Sequence, residues 1–178
     1  MRRILIIGSA GAGKSVLSQW LGAALGLPVI HLDAHYWKPG WVPSENQDWK
    51  DGVMDLIQGD RWIMDGNYGG TIETRVAAAD TVIFLALPRL VCLYRAVKRS
   101  VRDWGRSRPD LGDGCKEKLP DWEFLKWIWT YPKQRTPKIL AMLEGHREVK
   151  RVVVLKSARE VCWFMEQVTS SSTEAAEG

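Results

Sequence analysis

The stretch Gly8-Ser9-Ala10-Gly11-Ala12-Gly13-Lys14-Ser15 constrains this chain more than any other, because it fits the phosphate-binding loop pattern G-x-x-x-x-G-K-[ST] at every fixed position. Glycines let the backbone turn tightly and aim N–H groups inward at an anion. The lysine brings a point charge to the β- and γ-phosphates, and the serine hydroxyl is a ligand for Mg²⁺. The flanks agree. Arg3 to Ile7 is an apolar, β-branched run expected to form a buried strand. Leu17, Trp20, Leu21, Ala24 and Leu25 recur at i, i+3, i+4, i+7 and i+8, one face of a helix that starts at Lys14. A helix N-terminus adds its dipole to a phosphate site. Strand, glycine loop and helix in this order imply binding of a nucleoside triphosphate, ATP, with Mg²⁺.

Strand and helix patterns alternate along the rest of the chain, which predicts an α/β domain with a parallel sheet and helices on both faces. Further strands are expected at Pro28 to Leu32, Arg61 to Met64, Thr81 to Leu87 and Arg151 to Leu155. Ser44-Glu45-Asn46-Gln47 and Ser157-Ala158-Arg159-Glu160 have the form of capping boxes, the first opening a helix to about Gln58 and the second the last helix. Thr71 is placed to cap a short helix through Ala78. From Arg89 the pattern is helical, with one stripe of Leu90, Leu93, Tyr94, Val97, Val101 and Trp104 and another of arginines. Gly105 to Pro120 is a Gly-, Pro- and charge-rich loop, long enough to be functional or mobile. Asp121 to Gly145 is helical with a break near Pro132 and Pro137, and its aromatic segment Trp122 to Tyr131 is expected to pack into the core. These features make residues 1–168 one domain, with a lid at about 104–120 and a polar, disordered tail over 169–178.

Composition narrows the class. The chain has 178 residues and a net charge of +4, and no apolar run approaches the ~18–20 residues that span a bilayer. Cys92, Cys115 and Cys162 are far apart and read as reduced thiols of a cytoplasmic protein. Arg89 to Arg108 holds seven basic residues and one acid, Asp103.

The phosphate loop alone does not separate a kinase from a GTPase or a motor, and other residues must decide. Asp65 and Asp33 each follow a predicted strand, at the edge where ligands collect in open parallel sheets. Asp65 suits a Mg²⁺ ligand, and Asp33 a group that takes the proton of an acceptor hydroxyl. His31 and His35 form no convincing zinc pair. Trp37 and Trp41 offer faces to a planar substrate or pack beneath a loop. Arg75 is a candidate for an acceptor anion. Arg95, Arg99, Arg102 and Arg106 share one helical face leading into the loop, where only Asp103 offsets them. Arginines on a closing lid are a common means of neutralising a transferring phosphoryl group.

Several of these segments resemble the adenylate-kinase-related P-loop proteins called DNA topology modulation proteins. The likeness rests on His31-Leu32-Asp33, Trp37-Lys38-Pro39-Gly40-Trp41, Trp62-Ile63-Met64-Asp65-Gly66-Asn67-Tyr68, Leu87-Pro88-Arg89, Arg108-Pro109-Asp110 and Phe124 to Trp129. It implies a nucleoside/nucleotide-kinase-like fold, a five-stranded parallel sheet of order 2-3-1-4-5, and an arginine-bearing lid with Arg99, Arg102 and Arg106. Relatives commonly carry an acid where this chain has Ala86 and a proline where it has Lys116. The expected activity is transfer of the ATP γ-phosphoryl group to a nucleotide, nucleoside or other hydroxylated metabolite, by a monomer or homodimer. A regulatory ATP-binding protein that contacts DNA through its basic stripe is the less favoured alternative.

Overall fold

The computed structural model describes residues 1–177, with side chains to Ser170. Its elements run β1 (Arg3–Gly8), α1 (Lys14–Leu25), β2 (Val29–His31), α2 (Leu32–Tyr36), β3 (Trp37–Lys38), β4 (Val42–Pro43) and α3 (Asn46–Leu56). They continue with β5 (Trp62–Asp65), a 3-10 turn (Gly69–Thr71), α4 (Ile72–Ala78), β6 (Thr81–Leu85), α5 (Arg89–Arg102), α6 (Trp122–Gln134), α7 (Thr136–Glu144), β7 (Arg151–Leu155) and α8 (Ala158–Glu177). The sheet order is β2-β5-β1-β6-β7, all parallel. Counting sheet strands alone, this is the expected 2-3-1-4-5.

Period-two alternation divides the core. Ile4, Ile6, Ile63, Ile83 and Leu85 point into a cluster with α1, α5 and α8. Leu5, Ile7, Met64, Val82 and Phe84 point to the opposite face, against α3, α4 and α7. Ile4 to Ile7 are fully buried, and each such side chain contributes about 1.5–3 kcal/mol. Because both faces are covered, the central strands read as unbroken apolar runs. Strand ends are aligned by register: His31 pairs with Asp65 and Asp65 with Ile6, so the acids after β2 and β5 meet beside the phosphate loop.

Two local expectations change. Ser44 caps no helix: its N–H and its hydroxyl both donate to Tyr36 O, at 2.9 and 2.8 Å, closing the β3–β4 hairpin, and α3 starts at Asn46. Thr71 stands at the N-cap of α4 without a side-chain cap bond, its hydroxyl instead accepting from Arg75 Nε. The break expected near Pro132 and Pro137 falls at Arg135: Pro132 rides inside the last turns of α6, and Pro137 is in the first turn of α7 where no N–H donor is needed. The apolar stripe of α5 is turned outward: Leu90, Tyr94, Val97, Val101 and Trp104 are exposed, and Cys92, Ala96 and Ser100 are the buried face. Small residues let α5 lie close to the loop, and the backbone carbonyl of Cys92 occupies the space a side chain at Gly11 would need. The second capping box does form, with Glu160 N–H donating to Ser157 Oγ. Thr169 and Ser170 continue α8, and the rest of the expected tail carries no described side chains. Among the described residues no helix is long and apolar enough to cross a membrane.

Candidate active site

The phosphate loop is built by its backbone. Gly11 has φ +74°, and a Cβ there would sit 2.1 Å from Cys92 O, so the loop tolerates only glycine at that point. Gly13, at φ +97°, is the N-cap of α1 and makes no side-chain cap bond. The first N–H groups of α1 are therefore left for a ligand. Lys14 Nζ donates to Ser9 O at 3.2 Å, and burial lowers its pKa against the charges of Asp33 and Asp65. Ser9 Oγ is buried with no hydrogen-bond partner. A buried, unpartnered hydroxyl beside the uncapped start of α1 fits a phosphate site.

The loop opens on a cleft of about 780 Å³. Its walls carry Lys14, Ser15, Arg95, Lys98, Arg99, Arg102, Arg106 and Arg108, with Ala158, Val161, Cys162 and Met165 at the α8 end. Cationic walls suit a polyphosphate, and the apolar end suits a planar base. ATP with Mg²⁺ therefore fits the residues present. Asp33, Asp65, Trp37 and Arg75 lie outside this lining.

Two of those residues flank the loop from below. Asp65 is buried, and its Oδ2 accepts from the Ser18 hydroxyl and lies 2.9 Å from His31 Nδ1. Burial would lower the pKa of His31, but the hydrogen bond and charge of Asp65 outweigh it and raise it. His31 is thus held by a carboxylate, not by His35. Asp33, on α2, accepts from Tyr68 Oη at 2.5 Å. Burial pushes the Asp33 carboxyl up, while the Tyr68 hydrogen bond and the Lys14 charge oppose it. Tyr68 sits at φ +24°, an unusual backbone conformation for a tyrosine, held in place by Arg75.

Arg75 has no room for an acceptor anion. It is fully buried and donates to Thr71 Oγ1 and to the carbonyls of Gly66, Asn67 and Tyr68, at 2.7–3.2 Å. Burial lowers its pKa to about 10. Its role is to brace the turn that carries Tyr68. Trp37 packs edge-on against Tyr36 and Trp41, with ring centroids 4.9 and 5.4 Å away, so it supports a loop.

The arginine segment is assembled by side chains distant in sequence. Glu117 is buried and accepts from Ser100 Oγ at 2.7 Å. Its carboxylate lies 3.6 Å from Arg99 and 3.1 Å from Arg108. Burial and the neighbouring Arg108 charge lower the pKa of Arg99. Arg108 also meets Asp110 at 3.1 Å, while Arg102 pairs with Asp103 on the surface. Arg106 and Ser107 run beside Lys116 and Glu117, closing the loop at its base. The loop docks on the β3–β4 hairpin: Trp41 Nε1 donates to Lys116 O at 2.7 Å, and a Cβ on Gly112 would meet Trp37 O at 2.2 Å. Arg99, Arg102 and Arg106 line the cleft. Glu117, Arg108, Asp110, Tyr68 and Ser18 were not singled out from sequence. Tyr68 and Arg108-Pro109-Asp110 carried a signal, within the family resemblance.

No protein-family model and no curated protein matches the chain. Solved structures do. Shikimate kinase from Acinetobacter baumannii in complex with shikimate is 15% identical, with 98% of this chain and 94% of that chain covered and a TM-score of 0.59. A gluconokinase from Sinorhizobium meliloti 1021 is 17% identical over 99% and 94% of the two chains, with a TM-score of 0.50. At these identities the likeness establishes the fold, an α/β P-loop domain with a five-stranded parallel sheet flanked by helices.

Proposed function

We propose that this protein is an ATP-dependent kinase that phosphorylates a hydroxyl group of a small molecule. The observation that carries the reading is Asp33, a carboxylate held by Tyr68 and close enough to Lys14 for their charges to couple. A motor or switch has no need of a positioned proton acceptor beside its phosphate loop, whereas transfer to a hydroxyl does. The kinases with the same fold, one of them solved with shikimate, support it.

In this reading the N–H groups of residues 9–15 and Lys14 hold the phosphates, and Ser15 holds Mg²⁺. Bound ATP·Mg²⁺ supplies an activated phosphoryl group. Asp65, whose Oδ2 is engaged by Ser18 and His31, acts on the metal through water. Asp33 accepts the proton from the acceptor hydroxyl, and Tyr68 fixes its orientation. Arg99, Arg102 and Arg106 neutralise the negative charge that develops on the transferring group. The pairing of Arg99 with Glu117 and of Arg102 with Asp103, and the place of all three in the cleft wall, favour this use over contact with DNA.

The test is ADP release with a panel of nucleosides, nucleotides and sugar acids. One or more acceptors should raise turnover well above background hydrolysis, and Asp33→Asn should abolish that increment while ATP binding persists. Background hydrolysis unchanged by every acceptor, together with salt-sensitive binding to duplex DNA, would replace the kinase reading with the regulatory one.

A further inference from the structure

Helix α5 buries its small residues and exposes its large ones. Leu90, Tyr94, Val97 and Val101, with Trp104 just past the helix end, are 38–67% exposed. They are spaced 4-3-4-3, the repeat that forms a seam against another helix. Beside them on α6, Trp129 lies against Arg89 at the start of α5, 3.8 Å from guanidinium carbon to ring centre. Trp122, seven residues earlier on the same helical face, is 76% exposed. We propose that this face is the interface between two copies of the chain.

Area supports a stable pair. Three tryptophans, a tyrosine and three aliphatic side chains at this exposure offer on the order of 800 Å² per copy, counting about 150–250 Å² for a whole aromatic side chain. Two copies would bury roughly 1,600 Å², the size of a standard specific interface, whereas the largest apolar patch on a typical monomer is about 300–600 Å². The spacing also fits a copy of itself. With Val97 opposite Val97, two antiparallel α5 helices bring Leu90 opposite Trp104 and set Tyr94 within one residue of Val101. Each large ring then meets a smaller side chain.

Charge argues against a lipid surface. Of the cations of α5, Arg95, Lys98, Arg99 and Arg102 line the cleft on one side of the helix, and Arg89 is stacked on the Trp129 ring rather than extended beyond the apolar face. Asp121 and Glu123, exposed acids at the start of α6, border Trp122 and would be repelled by anionic headgroups.

Sedimentation of the full chain over a wide concentration range tests the proposal. The wild type should be a dimer. Val97→Glu sets two carboxylates against each other and should weaken the dimer at least ~100-fold while leaving the circular dichroism spectrum unchanged. Tyr94→Glu, at a more exposed site, should do the same. In a Cys162→Ser background, Val97→Cys should oxidise to a covalent dimer, and Val16→Cys, on α1, should not. A wild type that stays monomeric overturns the proposal. So does a dimer indifferent to Val97→Glu, or a monomer that co-sediments with phosphatidylserine vesicles through this face.

Discussion

The phosphate loop and the arginine segment face each other across one cleft, yet they are built by opposite means. The loop is made mostly within itself: Ala12 N–H and Lys14 Nζ both donate back to Ser9 O, and only Gly11 is fitted to a distant group, the carbonyl of Cys92. The arginine segment depends on side chains brought from elsewhere. Glu117 binds Ser100, 17 residues away, and the loop that carries Glu117 rests on a hairpin 75 residues away, through Trp41 and Lys116. A device of the first kind is formed wherever its strand and helix form. One of the second kind exists only while the whole fold holds, and it is the part able to respond to a ligand.

That contrast can be broken most severely at Lys14. Lys14→Ala removes the charge aimed at the phosphates and leaves the backbone loop intact. Turnover should fall on the order of 10³-fold with the melting temperature unchanged, read by ADP release and thermal unfolding. A parallel loss of stability would mean that the loop also depends on its side chain.

Next in size is Asp33, which sits between the two regions. Asp33→Asn should cost about 10²–10³-fold in acceptor-dependent turnover. Tyr68→Phe sharpens the point. Burial raises the Asp33 pKa and the Tyr68 hydroxyl restrains that rise. Loss of the hydroxyl should therefore raise it further, and the acidic limb of the kcat/KM profile should move to higher pH. An unmoved limb would assign the titrating base to another group.

The arginine segment should fail through stability instead. Glu117→Gln leaves Arg99 and Arg108 without a buried countercharge, a loss of about 3 kcal/mol in unfolding free energy. Arg102→Ala breaks only a surface pair with Asp103 and should leave unfolding unchanged while lowering turnover. Equal melting temperatures for the two variants would place Glu117 outside the structural frame of the loop.

The same contrast explains what could be read from the sequence. The loop and the five strands were legible, because fixed spacings and apolar, β-branched runs are local properties, whereas the strand order came from the family resemblance. Asp33 and Asp65 were legible as strand-end acids. Arg75 was misassigned because a buried arginine that donates to backbone carbonyls looks, in sequence, like one waiting for an anion. The α5 helix shows two stripes in the sequence, and neither is its buried face. Cys92, Ala96 and Ser100 win because the loop packs against them and leaves space only for small side chains. Glu117 had no local signal, since its partners come from α5 and from a turn in the loop.

The mildest probe lies under the phosphate loop, where backbone construction gives way to a side-chain relay of His31, Asp65 and Ser18. The fold raises the His31 pKa above its ordinary value near 6.5, so a protonated His31 contributes stability that is fully present below that value. The contribution is lost as pH rises through the raised value. Wild type should therefore exceed His31→Gln in denaturant midpoint most at mildly acidic pH, and the gap should narrow on moving to alkaline pH. Ser18→Ala leaves His31 with the same carboxylate and should preserve that slope even where it lowers stability overall. A gap that stays constant with pH would mean that His31 remains neutral, and that the floor of the loop is held by hydrogen bonding alone.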